Sequence, residues 1–197
     1  MNILDTLTKD EEKYVTYKNY KNGQVVFNDQ DECKKLGIII EGGIIIKTYT
    51  YLEKEETITI LSKDMLFGHN LLFSKYHYYL GDGIVDKKTR IAFISKYHLE
   101  LLLKTNVNFM FSYISYISDQ SYEIKQQAKL LAHKNIEDRI MYYLKTNAIN
   151  NKVIIKDVTT LANILSLPRP SVSRSLTRLE MENQIIRDNK IIYIKRG

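Results

Sequence analysis

A chain of 197 residues, 44% apolar and 26% charged, has the make-up of a folded globular protein, long enough for one large domain or two small ones. It holds no long apolar run and opens on the polar, acidic stretch MNILDTLTKDEEKY, so neither a membrane span nor a signal peptide is expected and the expected location is the cytoplasm. The single cysteine, Cys33, excludes an internal disulfide and a cluster held by several thiolates, and reads as a buried, idle thiol.

The net charge of +6 is unevenly placed: residues 133–197 hold 12 Lys and Arg against 6 Asp and Glu, whereas residues 1–132 hold 17 against 17. A neutral block followed by a basic one suggests a sensing or scaffolding part joined to a part that meets a polyanion. A basic, solvated surface without a partner is the alternative that charge alone leaves open.

Seven of the eight glycines lie in residues 1–83, among short β-rich runs such as GQVVF, LGIIIEGGIIIKTYTY and ETITIL. Runs of this length separated by turn residues predict a small all-β sandwich or barrel. IEGG, between two isoleucine runs, predicts a hairpin turn with Gly42 and Gly43 free to take positive φ. TRIAFI predicts one more strand, after which no β pattern is expected until the end of the chain.

From about Asn108 to Leu131 the period changes. Met110, Ile114, Ile117, Ser121, Ile124, Ala128 and Leu131 are spaced alternately by four and three, the seam of a two-stranded coiled coil, with a buried helix inside one chain as the alternative. Phe109, Tyr113 and Tyr116 lie on a neighbouring face suited to packing on the β domain. Asn135, with Asp138 three residues on, predicts the N-cap of a further helix, IEDRIMYYLKTNA.

In the last block, Leu161, Ile164 and Leu165 predict the inner stripe of a short helix starting near Thr159, and SLP a tight connection. Val172, Leu176 and Leu179, at i, i+4 and i+7, predict the buried stripe of a second helix starting near Arg169. Two short helices joined this way form a helix-turn-helix. The outer face of the second carries Arg169, Pro170, Ser173, Arg174 and Thr177. Arginine can pair bidentately with guanine, and serine or threonine can reach bases or phosphates, which suits a DNA major groove. IIRDNKIIYI then alternates strand-like runs around Asp188-Asn189, read as a two-residue hairpin turn and therefore as a wing with Lys190 at its tip.

These segments together resemble the CRP/FNR family of bacterial transcription regulators, over nearly the whole length. KNGQVVFNDQDECKKLGIIIEGGIIIKTYTY is similar to its opening β-roll segment, KDMLFGHNLLF to its phosphate-cassette region, residues 106–132 to its dimerisation helix and residues 156–195 to its winged helix-turn-helix. The resemblance implies an α+β fold: a double-stranded β-helix (a jelly-roll-like β-roll) over residues 1–105, a long dimerisation helix over 106–132 and a winged helix-turn-helix over 133–197. It also implies a homodimer on a roughly palindromic site of double-stranded DNA. Arg169, Pro170, Ser173 and Arg174 are then expected to read bases, and Thr159, Ser171, Thr177 and Lys190 to anchor phosphates. Activation would also require a surface for RNA polymerase, which the sequence does not single out.

Two departures bear on specificity. Pro170 stands where the family pattern has a base-reading glutamate, so the operator is expected to differ from the usual half-site. Cyclic-nucleotide binders keep FGE for the ribose and R-S/T-A for the phosphate, whereas this chain has Phe67-Gly68-His69 and Tyr79-Leu80-Gly81. Near the base, the central helix offers Ile124 and Lys125, and Ile124 already belongs to the seam. No cAMP site of the family's kind is therefore expected. The effector is unknown: Phe67, His69, His77 and Tyr79 outline a candidate pocket for an apolar or aromatic ligand, and His69 or His77 could ligate a haem, although no cofactor is the primary expectation. An enzyme on a cupin-like barrel would need clustered metal ligands, and histidines at 69, 77, 98 and 133 are scattered.

Overall fold

The computed structural model describes residues 2–49 and 55–195. The chain forms two compact units, Met1–Asp119 and Gln120–Gly197, that meet within one continuous helix.

The first unit begins with two 3-10 turns, Ile3–Thr6 and Glu12–Tyr14, the first closed by a capping box between Asn2 and Asp5. Eight strands follow: β1 (Val15–Tyr20), β2 (Val25–Phe27), β3 (Lys35–Glu41), β4 (Gly43–Tyr49), β5 (Glu55–Ser62), β6 (Leu66–Phe67), β7 (Asp82–Val85) and β8 (Thr89–Ser95). They build two four-stranded antiparallel sheets, ordered β1-β8-β3-β6 and β2-β7-β4-β5. β3 is buried on both faces. Ile39 joins Phe27, Ile44, Phe67 and Val85 between the sheets, while Leu36 and Ile38 join Leu99, Leu102 and Phe109 outside them. That double burial explains an unbroken apolar run where a one-sided strand would alternate.

The IEGG stretch departs from the expected hairpin. β3 pairs with β6 and β8, and β4 with β5 and β7, so the chain changes sheets at Gly42. Gly42 alone takes positive φ there, at 90°, and a side chain on it would strike Thr89 and the Lys88 carbonyl, so the corner requires glycine. The buried Thr89 hydroxyl fastens the corner, accepting the Gly43 N–H at 3.0 Å and lying 2.9 Å from the Lys87 carbonyl that it can donate to.

A helix that the sequence reading did not expect, α1 (Lys96–Thr105), follows β8 directly, with the Ser95 side chain capping the His98 N–H. Asn106 ends it and starts the next helix, α2 (Val107–Ala132). Its own N–H bonds the Leu102 carbonyl, and its side-chain oxygen accepts the Phe109 N–H. Phe109 and Tyr113 are buried in the core of the first unit, and the Tyr116 hydroxyl accepts the Leu66 N–H at 2.9 Å.

In the second unit, Leu130 of α2 packs with α3 (Ile136–Asn147), α4 (Val158–Ile164) and α5 (Arg169–Met181). Asn135 caps α3 as expected, its side chain accepting the Glu137 N–H. A three-stranded sheet, β10 (Ile185–Asp188), β11 (Ile191–Ile194) and β9 (Lys152–Ile154), covers one side. β9 is an addition to the two wing strands expected from the sequence, which anticipated no strand between Ser95 and the wing.

Gly37 and Gly83 lie directly beneath the Phe67 and Phe27 rings. Gly37→Ala is expected to force the Phe67 ring off its seat and destabilise the protein by about 1–3 kcal/mol, the range for overpacked cores. Urea unfolding followed by circular dichroism checks this, and an unchanged midpoint would show that the ring has room to move.

Candidate nucleic-acid interface

The helix pair is built as its residues dictate. Asp157 caps α4 by accepting the Thr160 N–H at 2.7 Å, and Leu161, Ala162 and Leu165 form its buried side. Ile164, expected on that stripe, is 36% exposed, and Ala162 takes its place. The turn passes through Ser166, at φ 53°, and the Leu167 N–H returns to the Ala162 carbonyl at 3.0 Å.

Pro168 is the N-cap of α5 and Pro170 its second residue. A helix start normally leaves four N–H groups without partners. Here two of the four positions have no N–H at all, and the Ser171 N–H is taken by the Pro168 carbonyl at 3.0 Å. α5 has no side-chain cap.

Val172, Ser175, Leu176 and Leu179 form the buried face of α5. Arg169, Pro170 and Arg174 are exposed, and Ser171, Ser173 and Thr177 are half-buried. Arg169 and Arg174 have no ion-pair or hydrogen-bond partner on their side chains among the described residues. The neighbouring Arg178 is committed to Glu182 at 3.0 Å and to Glu137 at 4.0 Å. Thr159 is exposed in the first turn of α4.

The wing turn lies one residue later than expected. Asp188 is still paired, opposite Ile191, so Asn189 and Lys190 make the turn, with Asn189 at φ 52°. Asparagine tolerates that left-handed conformation, which places it inside the turn and leaves Asp188 in the strand. Lys190 is exposed there.

Sequence reading missed several supporting contacts. Arg139 donates to the carbonyls of Leu131, His133 and Leu165, fastening the ends of α2 and α4 to α3. Buried Ser175 donates to Glu137 at 2.8 Å. The carboxyl of Glu137 is held below its ordinary range by the backbone N–H it accepts and then by Ser175. Arg187 meets Glu180 and Thr177, and the Thr177 hydroxyl donates to the Ser173 carbonyl at 3.2 Å.

The four residues of the expected ligand pocket do not converge. Phe67 and Tyr79 fill the space between the two sheets, Tyr79 stacking on Phe27 with ring centres 3.8 Å apart and Phe67 meeting Phe27 at 5.6 Å. Burial first, and Cys33 beside it, push the Tyr79 hydroxyl above the ordinary phenol range. His69 turns instead to α2, edge-on to Tyr116 at 5.2 Å, and its carbonyl accepts from the Tyr113 hydroxyl. The His77 ring lies on Tyr78, and its carbonyl accepts the Cys33 N–H. A cleft of about 330 Å³ beside the plug is lined by Phe27, Phe67, Tyr79, Phe93, Asp31 and Lys35 among others, with no histidine. His69 and His77 therefore do not fit as axial ligands of a haem held there. Among the described residues, no three His, Cys, Asp or Glu side chains gather as a metal site, and no helix is long and apolar enough to cross a membrane.

Residues 17–106 match the family of the cyclic nucleotide-binding domain. Solved structures similar to this chain include the Catabolite Activator Protein of Thermus thermophilus, at 17% identity over 99% of this chain and 94% of that one, with a TM-score of 0.58. A CprK complexed with OCPA aligns at 16% identity over 98% and 89%, with a TM-score of 0.70. A mutant CooA from Carboxydothermus hydrogenoformans aligns at 15% over 100% and 91%, with a TM-score of 0.66. The chain has the CRP/FNR fold. No curated protein sequence matches it. The expected α+β architecture, β-roll followed by winged helix-turn-helix, is thus the observed one, and in this CRP/FNR fold α5 and the β10–β11 wing carry the exposed arginines and Lys190.

The His69 Nδ1 atom is buried without a hydrogen-bond partner among the described residues, and burial lowers the pKa of the ring from the ordinary value of 6.5. A lowered histidine pKa means that the unfolded chain takes up a proton first. The stability tied to this group is complete above about pH 6.5 and falls away as the pH drops from there towards the folded value. His69→Gln is expected to flatten the fall in melting temperature between about pH 7 and about pH 5, and parallel curves for the two proteins would show that the burial is without consequence.

Proposed function

We propose that the protein is a sequence-specific DNA-binding transcription regulator that works as a homodimer on a roughly palindromic operator. The observation that carries this reading is the pair of unengaged guanidiniums, Arg169 and Arg174, on the outward side of α5, in a unit whose wing turn also exposes Lys190. The other described arginines of the unit, Arg139, Arg178 and Arg187, are engaged internally, which leaves these two available for a partner rich in acceptors. Along α2, Ile114, Ile117, Ile124 and Leu131 are 49%, 37%, 66% and 43% exposed. Met110 is half-buried, and Ser121 and Ala128 are exposed on the same repeat. This exposed stripe supports a dimer in which a second copy covers it as a coiled coil, and whose recognition helices would enter major grooves about 34 Å apart.

Arg169, Ser173 and Arg174 are the base-reading candidates, with Pro170 shaping the operator by lacking an acceptor. Thr159, Ser171 and Lys190 are the phosphate-anchoring candidates. DNA selected from a random pool by the purified protein is expected to yield a palindromic site whose binding weakens steeply with salt. On that site Arg174→Ala should cost about 1–3 kcal/mol and relax one base pair, while Lys190→Ala should weaken all sequences alike and lower the salt slope by about one. Footprints left unchanged by Arg174→Ala would reverse the orientation given to α5.

The same reading holds that cAMP is not the effector. The place of the phosphate-binding arginine carries Tyr79, stacked on Phe27, and the space between the sheets is filled by the chain's own rings. Calorimetry with cAMP is expected to return no binding heat, and a micromolar affinity would overturn the point.

A further inference from the structure

Arg187 and Glu180 stand out among the charged groups of the second unit because they join α5 to a wing strand. Glu180 lies on α5 and Arg187 on the first wing strand, β10. One carboxylate accepts three donors from one residue: the Arg187 backbone N–H at 3.0 Å, Nε at 2.9 Å and Nη2 at 2.6 Å. Nη2 also reaches the Thr177 hydroxyl at 3.2 Å. The Arg178–Glu182 pair, by contrast, lies within α5 and ties it to no strand.

Resting on the DNA-binding reading above, we propose that Arg187 and Glu180 are positioning residues that clamp the wing to the recognition helix and so set where Lys190 meets the DNA backbone. Thr177 belongs to this clamp instead of to a phosphate contact. Its one hydroxyl proton goes to the Ser173 carbonyl, and a phosphodiester oxygen offers no proton in return. Because both the main chain and the planar fork of Arg187 are held, the strand can neither slide along α5 nor twist away from it. Lys190 is three residues beyond, in a hairpin of four-residue strands, so the clamp sits at the base of a short lever whose tip is the phosphate contact. Exposed ion pairs contribute little to stability, but this one holds a binding element in place before the ligand arrives, and loss of that order appears in affinity.

The experiment is a double-mutant cycle in DNA binding on the operator selected by the wild type. Replacing both partners, Glu180→Ala with Arg187→Ala, leaves net charge unchanged and so leaves no bare carboxylate near phosphate. Lys190→Ala is expected to weaken wild-type binding about fivefold, and to have almost no effect once the clamp is removed, because the tip is then no longer held against the backbone. Arg187→Lys, which keeps the charge without the fork, and Thr177→Val, which keeps the volume without the hydroxyl, should each shrink the Lys190 effect part of the way, with circular dichroism unchanged. A Lys190 effect of equal size in all backgrounds overturns the clamp while leaving the DNA-binding reading intact. Wild-type protein that binds no selected DNA even at low salt removes that reading, and the clamp's role with it.

Discussion

Burial of Val172, Leu176 and Leu179 on one side of α5 is the constraint from which the C-terminal unit follows. Three fully packed side chains at helical spacing leave the helix a single rotational setting. That setting decides which arginines face water. Arg178, one turn beyond Arg174 and likewise exposed, pairs with Glu137 and Glu182, while Arg169 and Arg174 have no such partner among the described residues. The prolines act at the same place by a different route, removing amides that a helix start would otherwise have to satisfy. The result is a helix whose first turn has fewer amides left to satisfy than an ordinary helix start.

The N-terminal unit solves a different packing problem. Its residues 17–106 match the cyclic nucleotide-binding domain, yet Phe27, Phe67 and Tyr79 occupy the space between the sheets, with Gly37 and Gly83 left bare to make room for two of the rings. Stacked rings of this kind supply much of the packing between the two sheets. The outer face of the same sheet is covered by Leu99, Leu102, Phe109 and Tyr113, so β3 lies between two cores with no solvent face.

Much of the second unit was legible because its signals are local. The spacing of Val172, Leu176 and Leu179, the two prolines and Asn135 each specify one turn of chain, and each appears where it was expected. Signals about partners were harder to read. IEGG announces a turn, but nothing in four residues says that the strands on either side join different sheets. α1 follows a strand without a glycine or proline between them, although Ser95 before His98 and the Leu99, Leu102 and Leu103 spacing were there to be seen. β9 has three residues, too few for a period. The pocket expectation grouped residues close in sequence, whereas the fold sets His69 against Tyr116, His77 on Tyr78 and Tyr79 on Phe27. Thr177 looked free because periodicity assigns a face, and only the fold shows Arg187 reaching it.

Asn106 fixes more than a boundary. Its side-chain amide also donates to the Thr6 carbonyl at 3.0 Å and to Glu11 at 2.7 Å, so the residue that starts α2 is itself tied to the N-terminal segment. Each residue of a helix advances the next by about 100°. The phase of α2 is therefore set at Asn106, and one residue inserted between Asn106 and Phe109 would swing Ile114 and Ile117 by more than a quarter turn. The length of that short stretch is as constrained as its chemistry.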